Sequence, residues 1–267
     1  MHPNQPPNNR RLRVIYAVIA VLYGLIVFAL GTAWYSGQML EPFHFFNDLP
    51  EWKQLDKFAH LFWTFQVCAL ASRMFAWAGA EKPNTLGSVT GFFIVSSIEI
   101  FDGFSIGYGA SVYDLVANGL GATLFFVQTK FWNRIHLFAK FSFHSSAFAT
   151  LRPDLLGGTF LEQMLKDYNG QTFWYSWKPP LKWWPDWLAV AIGVGAQGMV
   201  RGRDFQSEEL GFHPYRKFLL SLDLNPNALE SKTKWKNWVI YPLRIFKFPF
   251  PTIELSERGI VFHWIYF

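Results

Sequence analysis

A single cysteine, Cys68, stands in a chain of 267 residues, so no disulfide can form within it and a disulfide scaffold is excluded. Charge is also scarce. Asp, Glu, Lys and Arg together make up 16% of the chain, against about 25% in an ordinary soluble domain. Low charge with high hydrophobicity excludes an intrinsically disordered chain. The 24 basic and 19 acidic residues leave a net charge of +5, but the Lys and Arg are scattered. A nucleic-acid surface needs them clustered, so no nucleic-acid partner is expected. What is abundant is apolar: 51% hydrophobic residues and 19% aromatics, with 29 Phe and 13 Trp. The length allows one large domain or two small ones, and the composition points to a membrane-associated protein.

The N-terminus, residues 1–9, is rich in Pro and Asn and reads as disordered. Arg10, Arg11 and Arg13 then precede an apolar run from Val14 to Trp34. About 20 residues at 1.5 Å each cross a hydrocarbon core of about 30 Å. A signal peptide is the competing reading, since Gly31-Thr32-Ala33 offers a small-x-small cleavage site. The run exceeds the usual signal core of 7–15 residues, which favours an uncleaved anchor. Three more apolar stretches follow at 57–78, 86–101 and 113–132. They read either as further spans or as three buried helices of a peripheral protein. If they span, the arginines keep the N-terminus in the cytoplasm. Residues 35–55 and 102–112 then lie outside, and 79–85 and everything from 133 onward lie inside. Arg73, Lys82, Lys130, Arg134 and Lys140 fall on the inner ends.

Polar residues gather at the ends of these segments. Asp56 and His60 are spaced i, i+4; Glu99 and Asp102 are spaced i, i+3; Asp114 and Asn118 are again i, i+4. Each pair shares one helix face. Antiparallel neighbours bring the start of one helix beside the end of the next, so all three pairs fall at one membrane face. A carboxylate in lipid costs about 2.5–3.5 kcal/mol even on a lenient scale. Glu99, inside SSIEIF, therefore needs a partner, and His60 is the nearest candidate. Separately, Asp56 and Asp114 also read as helix-start acids, His60 as a satisfied core histidine and Asn118 as interhelical glue. Together, the six form a candidate polar pocket. One imidazole with several carboxyls could hold a divalent metal, but no motif such as HExxH is present and no cofactor is expected. No nucleophile is evident. Cys68 lies two turns below His60 and reads as core packing. Gly119 and Gly121 suggest a close-packing face on the fourth helix.

Residues 133–267 change character. Asn169-Gly170 reads as a hairpin turn followed by the strand Gln171–Ser176. A short helix fits 158–167, and 216–224 and 260–267 read as strands. KFPFPT at 247–252 is extended. Gly193-x-Gly195-x-x-Gly198 matches a bare dinucleotide fingerprint, but no βαβ unit surrounds it, so a packing helix or a bulged strand is expected. A terminal Phe after alternating aromatics resembles an outer-membrane barrel strand. Eight prolines between 179 and 251 argue against a continuous lipid-facing barrel. An aromatic layer along the membrane, carrying Trp183, Trp184, Trp187, Trp235 and Trp238 with lysines between them, competes with an ordinary aromatic core.

The fold class that follows is a mainly α N-terminal half, made of a membrane anchor and a three-helix hydrophobic core, joined to an aromatic-rich α+β C-terminal half. The divisions fall at 1–35, 36–133 and 134–267.

Asp56-Lys57-x-x-His60 opening an apolar helix, an acid late in the next helix and Asp114-x-x-x-Asn118-x-x-Gly121 resemble VanZ-like membrane proteins. A closer resemblance is to the YfiM-like uncharacterised periplasmic lipoproteins, in the large version of Bacteroidetes-type envelopes. FHFFNDLPEWKQLDKFAH, SSIEIFDGFS, DLVANGLG, KFSFH and KDYNGQTFWYS carry it, over about residues 40–200. The resemblance implies a Gram-negative envelope location and supplies no reaction. It sets a periplasmic or outer-membrane placement of the C-terminal half against the inner-membrane topology above. No Leu-x-x-Cys lipobox stands near the N-terminus, so lipid anchoring is not expected. The functional expectation is a non-enzymatic envelope protein whose polar pocket binds a lipid or cell-wall headgroup. The alternatives are a structural subunit of an envelope complex and a His/acid-dependent enzyme. Membrane lipid is the expected partner, with other envelope proteins second.

Overall fold

A computed structural model describes residues 8–34 and 40–267. The stretch 1–7, most of the segment expected to be disordered, lies outside the described residues. The fold is mixed: helices to residue 131, then a six-stranded antiparallel sheet with short helices in its connections. The chain forms two compact units, one of 1–49 with 63–135, the other of 50–62 with 136–267.

The helical unit holds α1 (Asn9–Trp34), α3 (Pro83–Ser96), α4 (Ile98–Asp102), α5 (Val112–Phe131) and most of α2 (Leu55–Trp77). Asn8 caps α1 by accepting from the Arg11 N–H at 3.1 Å. One stripe of α1 packs, with Ile15 buried among Ala71, Phe75 and Ala78. Much of the opposite side is exposed, including Val21, Leu25 and Phe28. Among the described residues, Asn9–Ala29 and Pro83–Asp102 are long and apolar enough to cross a membrane. Close packing sits on α3, where an added Cβ at Gly91 would meet Cys68 Sγ and one at Gly87 would meet the Ser72 backbone. Of the two glycines expected to provide such a face on α5, Gly121 is buried and Gly119 meets only a Phe92 ring carbon at 4.0 Å. Cys68 is fully buried and donates to the Ser88 carbonyl at 3.4 Å, as core packing requires.

The second unit carries β1 (Leu137–Phe143), β2 (Gln171–Trp177), β3 (Leu188–Gln197), β4 (Tyr215–Leu224), β5 (Phe250–Ser256) and β6 (Gly259–Tyr266), paired in chain order. Short helices α6 (Ala147–Leu151), α7 (Pro153–Leu156) and α8 (Phe160–Lys166) connect β1 to β2. α9 (Asp204–Glu208) connects β3 to β4, and α10 (Pro226–Leu229) and α11 (Lys234–Ile240) lie between β4 and β5.

The sheet is rolled. Strands sit about 4.8 Å apart, so β1 and β4 would be about 14 Å apart in a flat sheet. Instead Lys140 Nζ on β1 reaches Asp223 Oδ2 on β4 at 2.6 Å. Thr172 on β2 likewise meets the Tyr266 hydroxyl on β6 at 3.2 Å. The outer edge of β1 is taken by 245–247: the Phe141 N–H donates to Ile245 O at 2.8 Å and the Lys247 N–H to Phe141 O at 3.0 Å.

The concave face is polar and filled. Trp174 lies across it, its Nε1 donating to Ser142 Oγ at 2.9 Å, and Lys247 Nζ sits 4.6 Å from its ring centroid. Gly193 and Gly195 face this side of β3 because the indole and Thr172 occupy the space a side chain would take. That is the physical role of the first two glycines of the fingerprint, which fall on a strand, while Gly198 follows it at φ +86° against the His213 carbonyl.

Asn169-Gly170 departs from the expected hairpin. β1 and β2 are joined through 144–170, not by a tight turn. Asn169 is buried and clamps Met199, donating to its carbonyl and accepting from its N–H, both at 2.8 Å. The eight prolines fall in connections, apart from Pro251 at the β5–β6 register shift, so they do not interrupt the sheet. The tryptophans at 183, 187, 235 and 238 are exposed, which excludes an ordinary aromatic core for them.

Two outcomes follow. A methyl at Gly193 would lie 2.7–2.9 Å from Trp174 ring carbons, so Gly193→Ala should destabilise the fold by about 1–3 kcal/mol, read as a lowered denaturation midpoint. Burial pushes the Lys247 ammonium down to about 8 from 10.5, against the opposing charge of Asp223. The unfolded chain therefore holds this proton between those pH values and the folded chain does not. The burial penalty is full below pH 8 and relieved as pH rises towards 10.5. Stability should climb across that window by about 3 kcal/mol, and Lys247→Met should lose this share of the climb in denaturation curves.

Candidate functional site

Of the six expected polar residues, Asp56 and His60 belong to the sheet unit and Glu99, Asp102, Asp114 and Asn118 to the helical unit. In the helical unit the chain between α4 and α5 folds back on the segment 40–48. His44 N–H donates to Gly103 O at 2.9 Å and Ala110 N–H to His44 O at 3.0 Å. Gly109, with φ of +151°, lies so close to Phe46 that a Cβ would clash. Phe43, Phe45 and Phe104 stack edge to face on this crossing and remain exposed.

Beneath it, Ser111 ends the extended segment and caps α5. Its Oγ accepts from the Asp114 N–H at 3.1 Å and donates to Asp48 Oδ1 at 2.6 Å. Its own N–H donates to Glu99 Oε2 at 2.9 Å. One turn into α5, Asn118 is fully buried. Its Oδ1 accepts from Thr64 Oγ1 at 2.9 Å and its Nδ2 donates to Ser96 Oγ at 3.3 Å. Glu99 and Asp114 are 3% and 4% exposed, while Asp102, ending α4, is half-buried. Ser111 thus joins Glu99, Asp48 and the backbone of Asp114 in one acid-rich network, and Asn118, next along α5, is held by Thr64 and Ser96.

In the other unit, Asp56 lies in the first turn of α2. The turn before it, Trp52–Gln54, has three successive residues at φ between 49° and 57°, a left-handed run that costs about 1–2 kcal/mol per residue. Its neighbours hold it. Lys53 pairs with Asp204 at 2.6 Å, Glu51 with Arg203 at 3.3 Å, and Arg216 donates to Lys53 O and Gln54 Oε1. Asp56 receives Lys57 Nζ on Oδ2 at 2.8 Å and the Tyr168 hydroxyl on Oδ1 at 2.7 Å, with His60 Nε2 3.7 Å away. Burial alone would raise the Asp56 carboxyl. The charges of His60 and Lys57 and the two hydrogen bonds outweigh it and hold it well below the usual carboxylate range. Asp56 is therefore ionised at every physiological pH. Asp56 and His60 offer ligand types that suit a divalent metal, but an ion would have to displace Lys57 or Tyr168 from the carboxylate.

Sequence reasoning missed the hydroxyl partners. Ser111-x-x-Asp114 carries the cap signature and could have been found. Thr64 stands one turn after His60 on the same face of α2. Asp48 and Tyr168 carried no local signal.

A family model described as "Predicted periplasmic lipoprotein (DUF2279)" matches residues 45–130. The match runs from the segment crossing 103–110 to the end of α5, and so takes in all six expected polar residues. It supports an uncharacterised envelope protein, and the description names no reaction. Neither the curated proteins nor the solved structures gave a match.

Proposed function

We propose that the protein is a non-enzymatic, membrane-associated protein of the Gram-negative envelope whose helical unit binds the polar headgroup of an envelope lipid or cell-wall precursor. The observation that carries this reading is the burial of two acids and an amide, Glu99, Asp114 and Asn118, by the start of α5 beneath an exposed aromatic crossing. Burying such groups is expensive unless they are satisfied. An acid-rich cluster suits an ammonium or hydroxyl-bearing headgroup. Exposed Phe43, Phe45 and Phe104 suit the acyl boundary next to it. In the other unit, Asp56 and His60 form a half-buried polar pair whose chemistry suits the same ligand class. The exposed α1 supports membrane association.

A structural reading has its own observation. Ser111 alone makes three hydrogen bonds within the network, as a closed scaffold would. Glu99→Gln and Asp114→Asn keep shape and remove charge, and separate the two. On the binding reading, the full chain in detergent keeps its unfolding midpoint within about 1 kcal/mol. It then loses about tenfold or more, 1.4 kcal/mol, in affinity for phosphatidylethanolamine or a soluble muropeptide. Variants that fail to fold favour the scaffold. Folded variants with unchanged affinity overturn the proposal.

Asn118→Ala leaves Thr64 Oγ1 and Ser96 Oγ without their amide partner. It should cost about 1–3 kcal/mol on either reading, measured by thermal unfolding.

A further inference from the structure

The rolled sheet is inside out relative to a soluble one. Along β4 the concave positions are Tyr215, Lys217, Leu219, Ser221 and Asp223, and all are buried. The convex positions that alternate with them from Phe218 onward are Phe218, Leu220, Leu222 and Leu224. β5 repeats the pattern, with Thr252 and Glu254 inward and Ile253 and Leu255 outward. Cross-strand pairing extends the outer band sideways, Ile253 opposite Phe262 and Leu255 opposite Ile260. A half-solvated antiparallel sheet has the opposite pattern, apolar inward and polar outward. Polar-in and apolar-out is the pattern of strands that face lipid.

The band has limits. Over β1 and β2 the outer face is already covered, because Phe62 of α2 stacks on Phe141 and Phe173. Over β4 to β6 it is exposed, with Phe218 at 51% and Phe262 at 52%, whereas on β3 Ile192 is exposed and Val194 and Ala196 are buried. β3 and β4 are ten residues each, the length of a strand that crosses a hydrocarbon layer at a tilt, about 9–11 residues.

The flanking loops are sorted by kind. The pairing places the connections 178–187 and 225–249 at the same end of the sheet. Those connections carry Trp183, Trp187, Trp235 and Trp238, all exposed, and Trp264 near the end of β6 is 78% exposed. Lys182, Lys232 and Lys236 lie among them, together with Lys178 and Arg244, which pair with Asp186 and Glu230, and Lys236 Nζ sits 5.9 Å from the Trp235 ring centroid. Tryptophan with Lys or Arg is the composition that settles at headgroup level, and the positive charge complements anionic lipid. A protein-binding face would have no need of a girdle at one end only.

We propose that the convex face of β4–β6, with Ile192 of β3 beside it, lies against the acyl chains of a phospholipid membrane, with the Trp/Lys end at its headgroups. This surface belongs to the sheet unit and stands or falls apart from the headgroup site of the helical unit.

The test uses the full chain carrying Cys68→Ala, reconstituted in vesicles of phosphatidylethanolamine with a minority of phosphatidylglycerol. Single cysteines at Phe218, Leu220 and Ile253 carry an environment-sensitive fluorophore, with Glu209, exposed in the connection at the opposite end, as the reference. Brominated acyl chains should quench the three outer sites several-fold more than the reference, and aqueous iodide should do the reverse. Outer sites quenched by iodide as strongly as the reference overturn the proposal. Sites shielded from both quenchers overturn it in favour of a protein partner or a second copy. If labelling disturbs folding, the unlabelled chain serves, because Trp264→Phe should remove a measurable part of the bromolipid quenching of intrinsic fluorescence. No change there overturns the proposal as well.

Discussion

The sheet unit depends on one ion pair. Lys140 and Asp223 are both fully buried and meet at 2.6 Å. Desolvating two such charges costs several kcal/mol per ion, and their attraction offsets this only when the remaining valences are satisfied. Here they are. Asp223 Oδ1 also accepts from the N–H of Leu224 at 2.8 Å and of Phe248 at 3.1 Å, and Lys140 Nζ donates to Leu224 O at 3.0 Å. The pair joins β1 to β4 and, through Phe248, to the approach to β5. Only a rolled sheet brings those three places together. The value of such a pair is registry more than stability, since a slip of one residue would turn Asp223 onto the apolar face.

The small residues of β3 follow from that closure. A tight roll leaves little room inside, and Trp174 takes much of it. Ala189, Ala191, Gly193 and Gly195 line the strand opposite, where a larger side chain would collide with the indole or with Thr172. Lys217, Tyr266 and Thr172 then fill the far end, with Lys217 Nζ 3.4 Å from the Tyr266 hydroxyl and 5.9 Å from its ring centroid. The interior is therefore aromatic and ionic at once, each ammonium lying on a ring as well as near an acceptor.

What the sequence made legible differs between the halves. The helices were readable because long apolar runs with capping residues at their ends leave few alternatives, and Asp56, Glu99, Asp114 and Asn118 stood out against them. The strands 216–224 and 260–267 were readable from aromatic and β-branched content. β1 was not, because its central Lys140 reads as a surface residue until Asp223 is known to be near. Asn169-Gly170 misled for a related reason. The dipeptide is a turn by local preference, but here the amide of Asn169 is needed 30 residues away at Met199. Local chemistry fixes local geometry, and both exceptions are long-range polar pairings. The Thr64 and Ser96 hydroxyls that hold Asn118 escaped notice in the same way, since such a hydroxyl carries no signal until its partner is placed.

The apolar exterior and the polar interior of the sheet are one constraint seen from two sides. Strand geometry points alternate residues to opposite faces. Once Lys217, Ser221 and Asp223 are committed to the inside, the intervening positions must face out. In water those positions would be free to be polar at little cost, since surface substitutions away from special features change stability by about half a kcal/mol or less. Yet the outward residues of β4 after Arg216 are Phe and three Leu, and Arg216 itself is engaged by Lys53 and Gln54. A face with no folding reason to be apolar, continued by the outward residues of β5 and β6, reflects what it meets outside the chain.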